Sequence, residues 1–348
     1  MPEKKIQTIN ITSSTIVRVI FIILFLVFLY LIRDIIVIFI FALIIASAIT
    51  PIVNVLEKIK IPRVIGTLIV YVLFFGIITF LLYLVVPSIA KDIEKLSSNF
   101  PDYVEKLTVK FQSLKEHFSK YQRFIDQLTV LLNNVRDFLK GSTSNLFSTA
   151  LNVFGGVFSF FLILVISFYI SVQKKGIQRV LTAIIPLHYR DYLLDLWERA
   201  QKKLGRWLQG QLFLGLIVGS MVYVGLYFLD VKYALILAII AGAFEIFPYI
   251  GPVLASIPAI IIGFLQAPVL GLWVIILYFA VQQIENYLIV PLVIGKVVGL
   301  NPIVVILALL IGGKLGGIPG MILSVPLTAV FAEFLKDLIK KRKRELSV

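Results

Sequence analysis

The sequence predicts an all-α, polytopic integral membrane protein, and three observations carry that prediction. Of 348 residues, 59% are hydrophobic, with a mean hydropathy of +1.00. Several apolar runs of 16 or more residues end at charge or proline, and these runs are continuous, without the alternation a membrane barrel strand requires. In lipid only helices and closed barrels satisfy every backbone hydrogen bond, so the runs read as helices. About eight hydrophobic segments follow, two of them broken or re-entrant, with an extracytoplasmic amphipathic helical insert between the third and fourth.

The chain divides into N-terminal membrane helices (1–86), the insert (87–148), a C-terminal membrane domain with broken helices (149–335, including a cytoplasmic interfacial segment at 174–210) and a basic cytoplasmic tail (336–348). The first two runs, Ile16 to Ile32 and Ile35 to Ile49, are expected to fold as a tight hairpin at Arg33-Asp34, with Pro51 closing the second helix. No small-residue cleavage site follows the first run, so it reads as a retained helix and not a signal peptide. A short basic loop with Lys58, Lys60 and Arg63 leads into a third helix, Val64 to Val86.

In the insert, apolar residues from Phe100 to Leu139 recur in alternating steps of four and three, with Pro101 suited to the first helical turn and Gly141 just past the end. That is a heptad seam. It either packs on its own chain or joins subunits, and a homo-oligomer is the expectation. A fourth helix covers Leu151 to Val172. The segment Lys174 to Arg206 then carries eight basic residues against three acidic ones. Trp197, Leu204 and Trp207 are placed for the apolar face of a helix lying along the membrane surface. In the fifth run, Gln211 to Leu229, Gly215 and Gly219 have the spacing of close helix packing.

Two later runs are abnormal. Tyr233 to Leu265 and Ile303 to Leu335 would each be ~50 Å long as straight helices, against a hydrocarbon core of ~30 Å. The first is interrupted by Pro248, Gly251, Pro252 and Pro258, the second by the glycine-rich stretch Gly312 to Gly320. Each is a broken or re-entrant segment. Between them, Pro268 to Ile289 reads as an ordinary spanning helix.

A net charge of +14 would point to nucleic acid in a soluble protein. Here the basic residues lie in loops and tails, where they act as topology signals and contact anionic headgroups, so the lipid bilayer and not nucleic acid is the expected partner. The same charges place both termini in the cytoplasm. There is no cysteine, and His117 and His188 are the only histidines, so disulfides, thiolate chemistry and a histidine-rich metal site are not expected. No cofactor is implied. The chain has no H-E-x-x-H, no G-x-S-x-G and no phosphate-binding loop, which disfavours metalloprotease, lipase and ATP-driven pump and predicts a non-enzyme.

Glu245 and Glu285 lie inside membrane-length apolar sequence, where an ionisable side chain is a functional candidate by default. Around Glu245, Pro248 cannot donate to the carbonyl of Phe244, and Pro252 cannot donate to that of Pro248. Free carbonyls beside a carboxylate at a broken helix, with Tyr249 and Gly251, resemble the cation or polar-solute sites of secondary transporters. On the other helix, Tyr278, Gln282, Glu285 and Asn286 form one polar stripe by i, i+3 and i+4 spacing. Lys314 is a lone cation in a glycine-rich turn, set either to reach an interface or to pair with a glutamate or an anionic substrate.

Phe247-Pro248-Tyr249-Ile250-Gly251-Pro252, Glu285-Asn286 with Pro291, Val298-Gly299-Leu300-Asn301-Pro302, and Gly316-Gly317-Ile318-Pro319-Gly320 followed by Ser324-Val325-Pro326-Leu327 resemble the motifs of the autoinducer-2 exporter family. So do the hydropathy profile, the polar insert and the basic tail. The resemblance implies an oligomeric inner-membrane permease, with members linked to export of a small signalling molecule and others to sodium/proton exchange. Asn301 stands where many members carry histidine. The expectation is a permease that exports a small polar solute without ATP hydrolysis, through a site between the broken segments. A cation/proton antiporter using Glu245 or Glu285, and a non-transporting membrane scaffold, are the alternatives.

Overall fold

A computed structural model describes residues 13–77, 156–293 and 300–346, with a few isolated positions between 79 and 130. The heptad seam of the insert, residues 1–12 and the Val298-Gly299 part of the third motif lie outside the described residues. Every regular element among the described residues is helical. Five of the helices are long and apolar enough to cross a membrane, or six if one bent pair counts as a single span.

Helix α1 covers Ser13–Leu31 and α2 covers Arg33–Lys58. The hairpin expected between them is not formed. Ile32 N–H donates to Phe28 O at 3.1 Å and Ile36 N–H to Ile32 O at 3.0 Å, so helical bonding runs through the junction. With neither glycine nor proline there, nothing breaks the ladder, and α1 stays exposed along its length. Helix α3 spans Arg63–Ile77. It ties to α4, Val157–Val172, through Tyr71 O–H donating to Ser167 Oγ at 2.8 Å. Arg63 closes the same corner, bonding Asn54 Oδ1 at 2.8 Å, Glu57 Oε2 at 3.0 Å and the Ser171 carbonyl at 2.8 Å.

The chain bends by 81° between α4 and the short helix α5, Gly176–Ile184. Within 174–206, α5 alone turns aside in this way. Helix α6, Leu187–Phe228, is a single rod of 42 residues, ~63 Å long, so residues 187–206 continue the axis of the span instead of forming a separate surface helix. Leu204 and Trp207 are buried and Trp197 packs beside them: these residues face the protein core, because α2, α4 and the last helix surround them. Helix α6 is the axis of the molecule. Its first half contributes Leu204 and Trp207 to one apolar cluster, and its second half gives Val218, Val222 and Leu226 to another.

Both abnormal runs fold back on themselves. Helices α7, Ala234–Phe244, and α8, Ile250–Gln266, are the arms of a first hairpin. Lys232 N–H at its start meets Gln266 Oε1 at its end, 3.4 Å away, and Leu237, Ala238, Ala255 and Ala259 share one buried cluster. Helix α9, Pro268–Ile284, continues through a wider turn at Glu285–Ile289 into α10, Val290–Val293. The last helical stretch, α11, is Pro302–Leu346, broken at Gly316 and Gly317. A methyl group on Gly312 would lie 2.7 Å from Ser324 Cβ, and one on Gly313 would lie 2.9 Å from Met321 Cγ. In a straight helix residues 312 and 324 would be ~18 Å apart. The stretch is therefore a second hairpin, with its tip at the two glycines.

Candidate functional site

The site forms where the tip of the first hairpin meets α6 and α9. Its position is set by glycine. A Cβ on Gly219 would stand 3.1 Å from the Ala238 carbonyl, and Gly215 touches the Gly242 backbone, so α6 and α7 approach to backbone contact. This is the close packing that the Gly215/Gly219 spacing predicts. At the end of α7 that approach puts Glu245 against α6, its Cβ 3.8 Å from where a Gly215 Cβ would be.

The tip resolves the question of the free carbonyls differently from the sequence expectation. Phe247 N–H donates to Phe244 O at 2.9 Å, and Ile250 N–H to Pro248 O at 2.8 Å. The chain tightens into turns that supply the donors proline lacks. Tyr249 adopts a φ of 67° to make the turn, and its ring is exposed. Gly251 is buried against the Phe244 carbonyl, where a side chain would not fit. Pro248 and Pro252 are half-buried in the same turn. The carbonyl of Glu245 accepts a hydrogen bond from Gln211 Nε2 of α6.

Glu245 is 2% exposed and Glu285 is 6% exposed, and their carboxyl groups face each other within hydrogen-bonding reach. Gln282 Nε2 donates to Glu285 Oε2 at 2.9 Å. Beyond Glu285 the helix widens, with Val290 N–H bonding the Glu285 carbonyl five residues back, a distortion that recurs at functional sites. It turns Glu285 inward while Asn286 and Tyr287 point out.

Two negative charges at this range repel unless a proton or a cation lies between them, and no Lys, Arg or His pairs with either carboxyl among the described residues. Glu245 Oε1, Gln211 Oε1 and the hydroxyl of Tyr278, which lies one turn before Gln282, are all buried without a protein partner. Buried polar atoms are nearly always hydrogen-bonded, so the carboxyl pair and the Gln211 amide, which bonds the Glu245 carbonyl, offer acceptors to a small polar ligand or cation. Gln211 was not among the residues the sequence pointed to.

The remaining sequence candidates stand apart from this cluster. Asn286 is exposed in the wider turn that follows α9, and Pro291 is exposed on α10. Asn301 caps α11, its Oδ1 accepting from Ile303 N–H at 2.9 Å. Lys314 is exposed near the tip of the second hairpin and pairs with neither glutamate.

Residues 19–340 match the model of the AI-2E family transporters. The chain is 35% identical to a Bacillus subtilis protein named "Putative transport protein YueF", over 84% of this chain and 82% of that one. It is 28% identical to "Putative transport protein YrrI" of the same organism, covering 81% and 80%. It is 26% identical to the AI-2 transport protein TqsA of Escherichia coli, covering 85% and 84%. A family match across nearly the whole chain, and a relative at this identity over most of both lengths, settle membership: the chain belongs to the AI-2E transporter family and is a multi-pass membrane transport protein.

Proposed function

We propose that this protein is a secondary permease of the bacterial inner membrane that exports a small polar solute without ATP hydrolysis, and that Glu245, Glu285, Gln211 and Gln282 form its transport site. The observation that carries this reading is the meeting of two buried carboxyl groups at the break of a re-entrant hairpin. Two glutamates from separate elements, set within apolar sequence and without a basic partner among the described residues, suit a site that is filled and emptied in turn. The AI-2 named for the Escherichia coli relative is the first solute to test.

The carboxyl pair also favours a second reading, exchange of a proton or monovalent cation at the same place, either as coupling to solute movement or as antiport alone. Purified protein in proteoliposomes separates the two. Efflux of labelled AI-2 that is lost in Glu285→Gln supports the first. Sodium-dependent proton movement without solute efflux supports the second, and neither flux in a folded, reconstituted protein would leave the scaffold role. The orientation with both ends cytoplasmic is open to the same cysteine-free background. A cysteine at Lys232 should react with a membrane-impermeant thiol reagent in intact cells, and one at Lys175 should not; the reverse result inverts the topology.

A further inference from the structure

The corner where α4 gives way to α5 has its level fixed by charge. Lys174, just past the end of α4, meets Glu57 Oε1 at 3.0 Å, and Arg63 Nε donates to the Ser171 carbonyl at 2.8 Å. The end of α4 therefore stands beside the basic turn between α2 and α3, which carries Lys58, Lys60 and Arg63, at the edge of the apolar layer. From that level the chain bends by 81°. Gly176 N–H donates to Gln173 O at 3.1 Å to make the turn. Helix α5 leaves nearly perpendicular to α4, so it runs along the membrane plane for ~13 Å.

One face of α5 belongs to the protein. Ile177 packs against the cluster that contains Leu204 and Trp207, and Gln178, Leu181 and Thr182 are half-buried. Arg190 of α6 holds the far end, donating to the Thr182 carbonyl at 2.6 Å. The other face is open. Val180 and Ile184, one turn apart, are 58% and 77% exposed, and Leu187, just beyond Pro186, is 79% exposed. Lys175 and Arg179, also one turn apart, are exposed as well, and neither pairs with a carboxylate among the described residues. At about 100° per residue they lie on the flank of the open face away from Val180 and Ile184. An apolar strip flanked by cations, on a short helix at the edge of the bilayer, is built to sink the strip into the acyl boundary while the cations reach phosphate. Charge selects this occupant. A second copy of α5 laid on the strip would bring the same cations against these, which like-charge repulsion opposes, whereas a bilayer with anionic headgroups satisfies strip and cations together and is already present at the end of α4.

We propose that α5 is an interfacial helix whose Val180, Ile184 and Leu187 enter the bilayer and whose Lys175 and Arg179 bind the headgroup of an anionic phospholipid. The proposal does not depend on what the Glu245/Glu285 pair carries, and its test does not use flux. The chain has no cysteine, so an NBD fluorophore can be placed at Ile184→Cys, with Glu198→Cys on α6 as the reference in water. Full-length protein is reconstituted in phosphatidylcholine liposomes with a minor fraction of phosphatidylglycerol and iodide on both sides. A nitroxide near the headgroup end of the acyl chain should quench the Ile184 probe roughly twofold or more above the Glu198 probe, and iodide should show the opposite order. Moving the nitroxide from phosphatidylcholine to phosphatidylglycerol at equal mole fraction should raise quenching at Ile184 several-fold, since each cation near an anionic surface contributes about a five-fold preference. Lys175→Gln with Arg179→Gln should bring the two lipids to parity without changing the elution volume in detergent. Equal iodide quenching at the two positions overturns the interfacial placement and leaves the strip to a soluble partner. A signal that changes when labelled chains are diluted with unlabelled ones overturns it in favour of a second copy. Equal quenching by the two nitroxide lipids in the parent overturns the anionic headgroup site. Val180→Cys carries the same measurement if the labelled Ile184→Cys protein does not reconstitute.

Discussion

Gln211 and Glu245 are joined by a hydrogen bond from a side-chain amide to a main-chain carbonyl, and that bond fixes the end of α7 at the break of the first hairpin. Helix α7 ends at Phe244, so the carbonyl of the following residue has no helical partner of its own. A donor from α6 supplies what the next turn would have supplied.

Replacing Gln211 by leucine keeps the volume and removes the donor. A buried carbonyl left unpaired costs about 1–3 kcal/mol, so we expect the melting temperature in detergent to fall and solute flux to drop with it. Gln211→Glu should lose more flux than Gln211→Leu at equal expression, since it adds a third carboxyl beside the pair. Thermal melts together with vesicle efflux check both points, and wild-type flux in the leucine variant would show that the tip holds without this bond.

At the pair itself, shape and charge can be separated. Glu285→Gln retains an acceptor for Gln282 and alters little volume, so folding and insertion should persist while flux falls strongly. Glu245→Gln should behave alike, and the double variant should lose little beyond either single one, because residues that act as a unit are not additive. Additive, partial losses would mean that the two carboxyls work separately.

How much of this was legible in the sequence differs from residue to residue. A glutamate inside an apolar run is conspicuous by its cost, so Glu245 and Glu285 could be found. Their meeting could not, because it depends on a hairpin reversing at 245–249 and on α9 packing beside it. Gly215 and Gly219 announced a close crossing, but not that Gly242 was the partner. Gln211 stood at the edge of a basic segment, where an amide reads as a boundary; its spacing of four from Gly215 was the available signal. Trp197, Leu204 and Trp207 had the right periodicity and the wrong face assigned, since an apolar stripe beside basic residues fits a lipid surface and a protein core equally well. The hairpin at Arg33-Asp34 failed because charge alone does not stop a helix.

Outside the apolar layer, Arg199 bonds Asp195, Glu333 and Asp337 at 2.5–3.1 Å, joining α6 to the second hairpin. The participating side chains remain partly exposed, between 20% and 66%, so screening limits what each pair contributes. We expect Arg199→Ala to lower stability by about 1 kcal/mol at low ionic strength, and the difference from the parent to shrink in high salt. Detergent-solution melts at two salt concentrations measure it. A salt-independent loss would point to packing of the arginine stem instead of its charge.

The glycine crossing offers the sharpest separation between fold and site. Gly215 faces the Gly242 backbone with no room for a methyl group, and the Glu245 Cβ is only 3.8 Å from the same point. Gly215→Ala must push α7 away from α6 or tilt it, because the opposing atoms are main chain and cannot rotate aside. Gly219, one turn on, has more room: its added methyl would stand 3.1 Å from the Ala238 carbonyl, which a shift of a few tenths of an ångström relieves. Both substitutions also raise intrinsic helix propensity by up to about 1 kcal/mol, which partly offsets the displacement. We therefore expect Gly219→Ala to keep near-parental stability and flux, and Gly215→Ala to lose most flux through displacement of Glu245 from Glu285. A cysteine introduced at Glu245 would report that displacement directly: its reactivity toward a small neutral thiol reagent should rise in the Gly215→Ala background and stay low in the Gly219→Ala background. Equal reactivity in the two backgrounds would mean that the crossing does not set the position of the carboxyl pair.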